Sequence, residues 1–229
     1  TDHFIRKRPV EDSMKEQITA FLGLKCFNND HVDAITTARG YMEFYERYAP
    51  QKALLDSSLK YLSRQADMEG GEKQNRDYIR VYYLLNDFAH VVQYAEKLQV
   101  TNMNDAWTAY RIGEAYYELQ QSDKALPWYQ RATQIWPYSL DFENKYGTCL
   151  LALNNVPEAT KVFNFIIDEN PDYTSANTNL GFIYMQQGNS TMAYNYLKRA
   201  NELDPDHEQT LVNLAVWYHN SNEPEKAKK

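Results

Sequence analysis

Hydrogen-bond donors recur at one constant interval in the second half of this sequence. One donor stands in each period of 34 residues, in the series Arg111, Lys145, Asn179 and Asn213. The guanidinium, ammonium and amide groups of these side chains all donate hydrogen bonds. An extended peptide exposes backbone carbonyl groups at regular intervals, and a row of donors on one surface would satisfy them. The chemistry that this spacing predicts is therefore the binding of a peptide backbone.

Motifs for catalysis are missing from the sequence. It contains no GxxxxGK phosphate-binding loop, no HExxH zinc motif and no GxSxG nucleophile. His90, His207 and His219 stand singly on or beside expected helices, which is typical of surface or partly buried histidines. Cys26 and Cys149 lack CxxC or CxxCH spacing, which favours buried thiols over a disulfide or a metal site. We therefore expect no enzyme activity and no cofactor in these residues.

Three further series share the 34-residue period and indicate which elements carry the donors. Small residues recur in the series Gly113, Gly147, Gly181 and Ala215. Alanines recur in the series Ala125, Ala159, Ala193 and Ala227. Prolines recur in the series Pro137, Pro171 and Pro205. A period of this length is typical of an array of helix-turn-helix repeats.

Each series has a physical role in a helical hairpin. Two antiparallel helices approach closely only where side chains are small, so Gly113 and Ala125 are predicted to mark the crossing point of one pair. Proline lacks an amide hydrogen and restricts its predecessor, so Trp136-Pro137 and its equivalents end each second helix. A left-handed residue suits the end of each first helix, at the positions Gln120, Asn154, Gly188 and Asn222.

These landmarks resemble those of the tetratricopeptide repeat family over residues 106–227. The resemblance implies an all-α fold, a right-handed superhelical solenoid of antiparallel helix pairs. The repeats are predicted at 106–139, 140–173, 174–207 and, truncated, 208–229. Ahead of the array we expect two degenerate hairpins at 31–105 and a non-repeat arm at 1–30, extended or partly helical.

In such arrays one stripe of the first helices lines a concave groove, because its members are spaced by near multiples of 3.6 residues. This stripe predicts the groove residues Trp107, Tyr110, Arg111, Glu114, Tyr117, Asn144, Lys145, Asn179, Phe182, Met185, Val212, Asn213 and Val216. Two other interpretations of the donor row remain open: a solvated face, or pairing with Glu114 and Asp141 inside the groove. The family's clamp for a C-terminal carboxylate needs basic and Asn residues where this chain has Tyr110, Glu114 and Ser175, so that mode is not expected.

The composition narrows the class of partner. A net charge of -7 and a pI near 5.3 argue against nucleic acid or an anionic membrane surface. The sequence has no run of about 18 apolar residues, so no membrane insertion is expected. The expected partner is a protein or a peptide.

Residues 1–9, TDHFIRKRP, resemble the segment that follows the haem motifs in bacterial multihaem c-type cytochromes with a C-terminal tetratricopeptide region. This resemblance implies haem c in a longer parent protein, a periplasmic or extracytoplasmic location, and His3 as a distal haem ligand. The alternative is an exposed histidine on a tail. Because the chain lacks an initiator Met and stops just after Ala227, inside an expected helix, we expect a piece of a longer protein.

Two functions of different class follow from these observations. The first is a non-catalytic scaffold that binds a protein or peptide in its groove. The second is the appended region of a multihaem cytochrome, in which the groove is filled by its own chain or by an upstream domain of the same polypeptide.

Overall fold

The structure, a computed structural model, describes residues 39, 41–43, 52–63 and 71–221. These residues form helices and short connections, and no β-strand occurs among them. The expected all-α fold is therefore confirmed. The chain divides into two compact units, Thr1–Leu98 and Gln99–Lys229. The limits predicted for the arm and for the individual repeats depend on repeat register and stay predictions.

Within the described part of the first unit, three α-helices with complete bounds pack in succession. Their bounds are Lys52–Ser63 (α1), Glu72–Leu84 (α2) and Phe88–Ala95 (α3). Helix α2 contacts both of the others. Leu62, Tyr78 and Val81 belong to the core of this unit, and Tyr78 stacks on Tyr94 with ring centroids 4.4 Å apart. The core of this unit thus contains tyrosine rings as well as aliphatic side chains.

As far as residue 221, the second unit contains a 3-10 helix, Val100–Asn102, followed by seven α-helices. Their bounds are Ala106–Glu118 (α4), Ser122–Ile135 (α5), Leu140–Ala152 (α6), Val156–Glu169 (α7), Thr174–Gln186 (α8), Ser190–Leu203 (α9) and Glu208–Asn220 (α10). Each helix packs against the next along the chain. Helices α4, α6, α8 and α10 are the first helices of successive repeats, and α5, α7 and α9 are the second helices.

The glycine series permits close packing within each pair. A Cβ atom added to Gly113 would lie 2.8 Å from Cδ1 of Tyr129, so there is no room for a side chain between the glycine and this ring. Gly147 faces Phe163 in the same way, with 2.9 Å to Cε1. The first helix thus supplies the gap and the second helix fills it with a bulky side chain.

The ends of the helices follow local backbone chemistry as predicted. Gln120, Asn154 and Gly188 have positive φ angles of 60°, 59° and 73°. The amide of the next residue then reaches back five positions, as in the 2.9 Å bond from Gln121 N to Tyr116 O. This pattern satisfies carbonyl groups that the helix end leaves open. The second helices α5, α7 and α9 end two residues before a proline, which is also as expected. Asn222 lies outside the described residues.

Replacement of Gln120 by glycine is expected to raise the free energy of unfolding by about 1 kcal/mol. An L side chain in the left-handed region costs roughly 1–2 kcal/mol, which glycine avoids at some entropic cost. Urea unfolding followed by circular dichroism would measure the change. Gln121→Gly is the matched control, because Gln121 has a φ of -109° and gains nothing from the replacement. An equal gain at both positions would contradict the explanation.

Within the described residues, no helix combines the length and the apolar character that a membrane crossing requires.

Candidate functional site

Side-chain contacts place the first helices of successive repeats side by side. Asn179 Nδ2 on α8 is 3.4 Å from Asn144 Oδ1 on α6. The hydroxyl oxygens of Thr178 on α8 and Thr210 on α10 are 2.6 Å apart. We call the thirteen predicted groove residues on α4, α6, α8 and α10 the first-helix stripe. The stripe therefore belongs to neighbouring helices of one compact unit.

Aromatic rings form the α4 end of the stripe. Asp105 fixes the start of α4, because its carboxylate accepts a 3.1 Å hydrogen bond from Trp107 N. The Trp107 ring is 48% exposed and packs edge-on against Phe142 of α6, with centroids 5.0 Å apart. Tyr110 stacks on the same Phe142 ring at 4.9 Å. The Arg111 guanidinium lies 5.9 Å from the centre of the Trp107 ring. This end can offer apolar and cation-π contacts.

One member of the stripe, Glu114 on α4, is a buried carboxylate that contacts α5 and α6. Glu114 is only 8% exposed, and its Oε2 atom is 2.9 Å from the Lys145 ammonium. Its other oxygen accepts a short hydrogen bond from the Tyr129 hydroxyl. Burial, together with the neighbouring Glu114, raises the pKa of Tyr129, so this hydroxyl stays protonated and donates. Tyr117 packs edge-on against the Tyr129 ring, with centroids 6.5 Å apart.

Several side chains of the donor row already form hydrogen bonds within the protein, which the spacing alone did not indicate. Lys145 pairs with Glu114, which was one of the open interpretations of the row. Asn179 donates to Asn144, and Asn213 accepts a 3.1 Å bond from Gln209 Nε2. Each amide retains further hydrogen-bonding capacity, because an Asn side chain offers two donors and an acceptor with two lone pairs. The row therefore consists of one neutralised cation, two amides and the stacked Arg111.

Asp141 has a different partner from the one considered in the sequence. It accepts a 2.6 Å hydrogen bond from the Tyr173 hydroxyl and not from a member of the donor row. Burial of Tyr173, reinforced by this bond, raises the pKa of its hydroxyl. The Asp141 carboxylate is thus held at the start of α6, beside the loop that leads into α8.

Apolar side chains form the α8 and α10 end of the stripe. Phe182 and Met185 are half-buried on α8. Val212 and Val216 on α10 are 50% and 43% exposed. Asn213 lies between them in sequence but is only 4% exposed. This end presents aliphatic and aromatic surface around a mostly buried amide.

Some residues that shape the site were not found from the sequence. The Phe142 ring packs against Trp107 and Tyr110, but Phe142 is not one of the thirteen residues of the predicted stripe. Tyr129 is not a member of the predicted stripe, although its hydroxyl holds Glu114. At the corresponding positions of the next repeats stand Phe163 and Leu197, which have no hydroxyl. This difference between equivalent positions was the sequence signal that could have indicated a separate role for the Tyr129 hydroxyl.

His3 and the other residues of the 1–9 segment lie outside the described residues. Its proposed role as a distal haem ligand, and haem c in a parent protein, stay predictions. Among the residues that the structure does describe, no three His, Cys, Asp or Glu side chains are grouped as a metal site would need. Cys149 is a buried thiol that donates to Ser122 O at 3.3 Å, and burial raises its pKa to about 12.

Comparisons with known proteins match this architecture. The family model of the tetratricopeptide repeat matches residues 108–137 and 174–207. The crystal structure of YrrB, described as a TPR protein with an unusual peptide-binding site, has a TM-score of 0.63 and 22% identity; 85% of this chain and 97% of YrrB are covered. MamA from Desulfovibrio magneticus RS-1 has a TM-score of 0.59 and 17% identity, covering 70% of this chain and 91% of that one. These likenesses show the fold, whereas no curated protein matches the sequence.

Proposed function

We propose that this chain, which contains tetratricopeptide repeats at residues 108–137 and 174–207, is a non-catalytic scaffold that binds an extended segment of a partner protein. The bound segment would lie along the first-helix stripe, across α4, α6, α8 and α10. Its backbone would accept hydrogen bonds from the amides of Asn179 and Asn213. Its side chains would pack on the apolar groups at the two ends of the stripe.

The observation that carries this proposal is the exposed apolar surface beside the amides. Val212 and Val216 remain about half exposed on the same helix as Asn213. Exposed apolar side chains that cluster on one surface favour a binding role, since burying them in a complex gains free energy. Polar amides among them would give direction to a ligand that exposes its backbone. The printed description of YrrB, a peptide-binding protein of the same fold, supports this choice of ligand.

Site-specific photo-cross-linking would test where a peptide binds. A photoreactive phenylalanine in place of Val212 is expected to form an adduct with a bound peptide, because this exposed position lies on the stripe. Phe165 is the matched control, since it is 42% exposed but lies on the second helix α7. The readout is mass spectrometry of adducts with peptides retained from an immobilised library. Adducts at Phe165 and none at Val212 would place the binding surface elsewhere and overturn the proposal.

A further inference from the structure

We infer that the first-helix stripe selects uncharged peptide segments, and that Glu114 enforces this choice by holding the Lys145 ammonium. The inference rests on the proposed function and goes on to name the class of ligand. Among the thirteen residues of the stripe, the charged ones are Arg111, Glu114 and Lys145, and all three lie on α4 and α6.

Lys145 is one of the two stripe cations that an acidic ligand could meet, and it is already neutralised. Its ammonium is 2.9 Å from Glu114 Oε2, and the Glu114 side chain is only 10% exposed. Tyr129 holds the other oxygen of the same carboxylate, so Glu114 cannot follow Lys145 toward a ligand. A ligand carboxylate that captured Lys145 would leave a buried negative charge without its cation. Separating a buried carboxylate from its cation is strongly unfavourable in a desolvated site.

The other half of the stripe has no charge with which to attract a charged ligand. Helix α8, TSANTNLGFIYMQ, contains no Asp, Glu, Lys or Arg. On α10 the acidic residue is Glu208, at the first position of the helix and outside the stripe. Burying a charged ligand side chain against Phe182, Val212 or Val216 would remove its hydration without compensation. An uncharged segment with apolar side chains neither separates Lys145 from Glu114 nor buries a charge against these apolar groups.

Carboxylates at the edges of the stripe add long-range repulsion of acidic ligands. Asp141 is exposed at the start of α6, and Glu118 is exposed at the end of α4. Their effect falls off over about 10 Å at ~0.1 M salt. The pairing of Lys145, in contrast, acts by contact and persists at high salt. The two contributions can therefore be separated by varying the ionic strength.

The probe is an immobilised library of nine-residue peptides with acetyl and amide ends, in acidic, basic and uncharged classes. Wild-type protein is expected to retain uncharged peptides with bulky apolar side chains. Their affinity should change less than about twofold between ~0.1 M and ~1 M salt, since no ion pair forms. Retention of mainly acidic or mainly basic peptides would overturn this inference and leave the proposed function standing. If no class is retained, the proposed function fails as well.

Glu114→Gln tests the role assigned to the carboxylate. The neutral amide carries no charge to pair with Lys145, and its single oxygen can accept from either Tyr129 or Lys145, so the hold on the ammonium is weakened. The variant should gain about fivefold affinity for acidic peptides at ~0.1 M salt and lose this gain at ~1 M salt. Glu118→Gln is the matched control, because it removes the same charge from the same helix without touching Lys145. An equal gain in both variants, at matched circular dichroism, would show that net charge alone sets the preference.

Discussion

Replacing Asn179 and Asn213 together by alanine is expected to weaken a peptide bound to the first-helix stripe by about fivefold to over a hundredfold. Asn213 uses its Oδ1 atom for Gln209, and within the described residues its amide nitrogen has no hydrogen-bond partner. Asn179 makes one long 3.4 Å bond to Asn144, which leaves a second N–H for a ligand. Each lost hydrogen bond is worth about 0.5–1.5 kcal/mol, and two together give the stated range.

Calorimetric titration of a library-selected peptide would measure this loss. The matched control replaces Asn164 and Asn195 by alanine, because these residues lie on the second helices α7 and α9. Both double variants should show the circular dichroism of the wild type. Equal affinity of the stripe variant and the control would mean that the row is a solvated face and that the peptide docks elsewhere.

Gly181→Leu should lower the free energy of unfolding by about 1–2 kcal/mol. A Cβ atom at this position would lie 2.6 Å from Cγ of Leu197 and 3.3 Å from the backbone oxygen of Ala193. Leu197 is fully buried, and the contacted atom is the branch point of its side chain, so it cannot swing away. Overpacking of a core typically costs about 1–3 kcal/mol, and the better helix propensity of leucine offsets only part of this.

The damage should extend beyond one hairpin, because each repeat is stabilised by its neighbours. Urea unfolding combined with hydrogen exchange would detect faster exchange in α8, α9 and α10. Gln186→Leu is the matched control, since it introduces the same side chain at an exposed position of the same helix. If Gly181→Leu unfolded at the same urea concentration as this control, the close contact between α8 and α9 would be refuted.

The sequence predicted those features of the fold that depend on local backbone chemistry. Pro137 and its equivalents end the second helices because proline cannot continue the hydrogen-bond ladder. Gln120, Asn154 and Gly188 adopt the left-handed conformation at the ends of the first helices. Such constraints act within a few residues and return in every repeat. A period of 34 residues was therefore enough to locate the helices.

The sequence predicted the members of the first-helix stripe less completely than the helices that carry them. The positions of Asn179 and Asn213 follow from helix geometry, but their partners do not. Asn179 meets Asn144 on the neighbouring helix, whereas Asn213 meets Gln209 on its own helix. Equivalent positions of a repeat thus make different contacts, because the surrounding side chains change from one repeat to the next.

What the sequence by itself determined is an array of helical hairpins with a row of potential donors on its first helices. What only the tertiary structure decided is which donors are still available to a ligand. Glu114 meets Tyr129 and Lys145, which lie 15 and 31 residues further along the chain. Among the described repeats of the second unit this contact occurs only once, so the period there contains no sign of it. It depends on how closely α4, α5 and α6 pack, because a carboxylate gains strong partners only where packing excludes water and brings donors within hydrogen-bond distance.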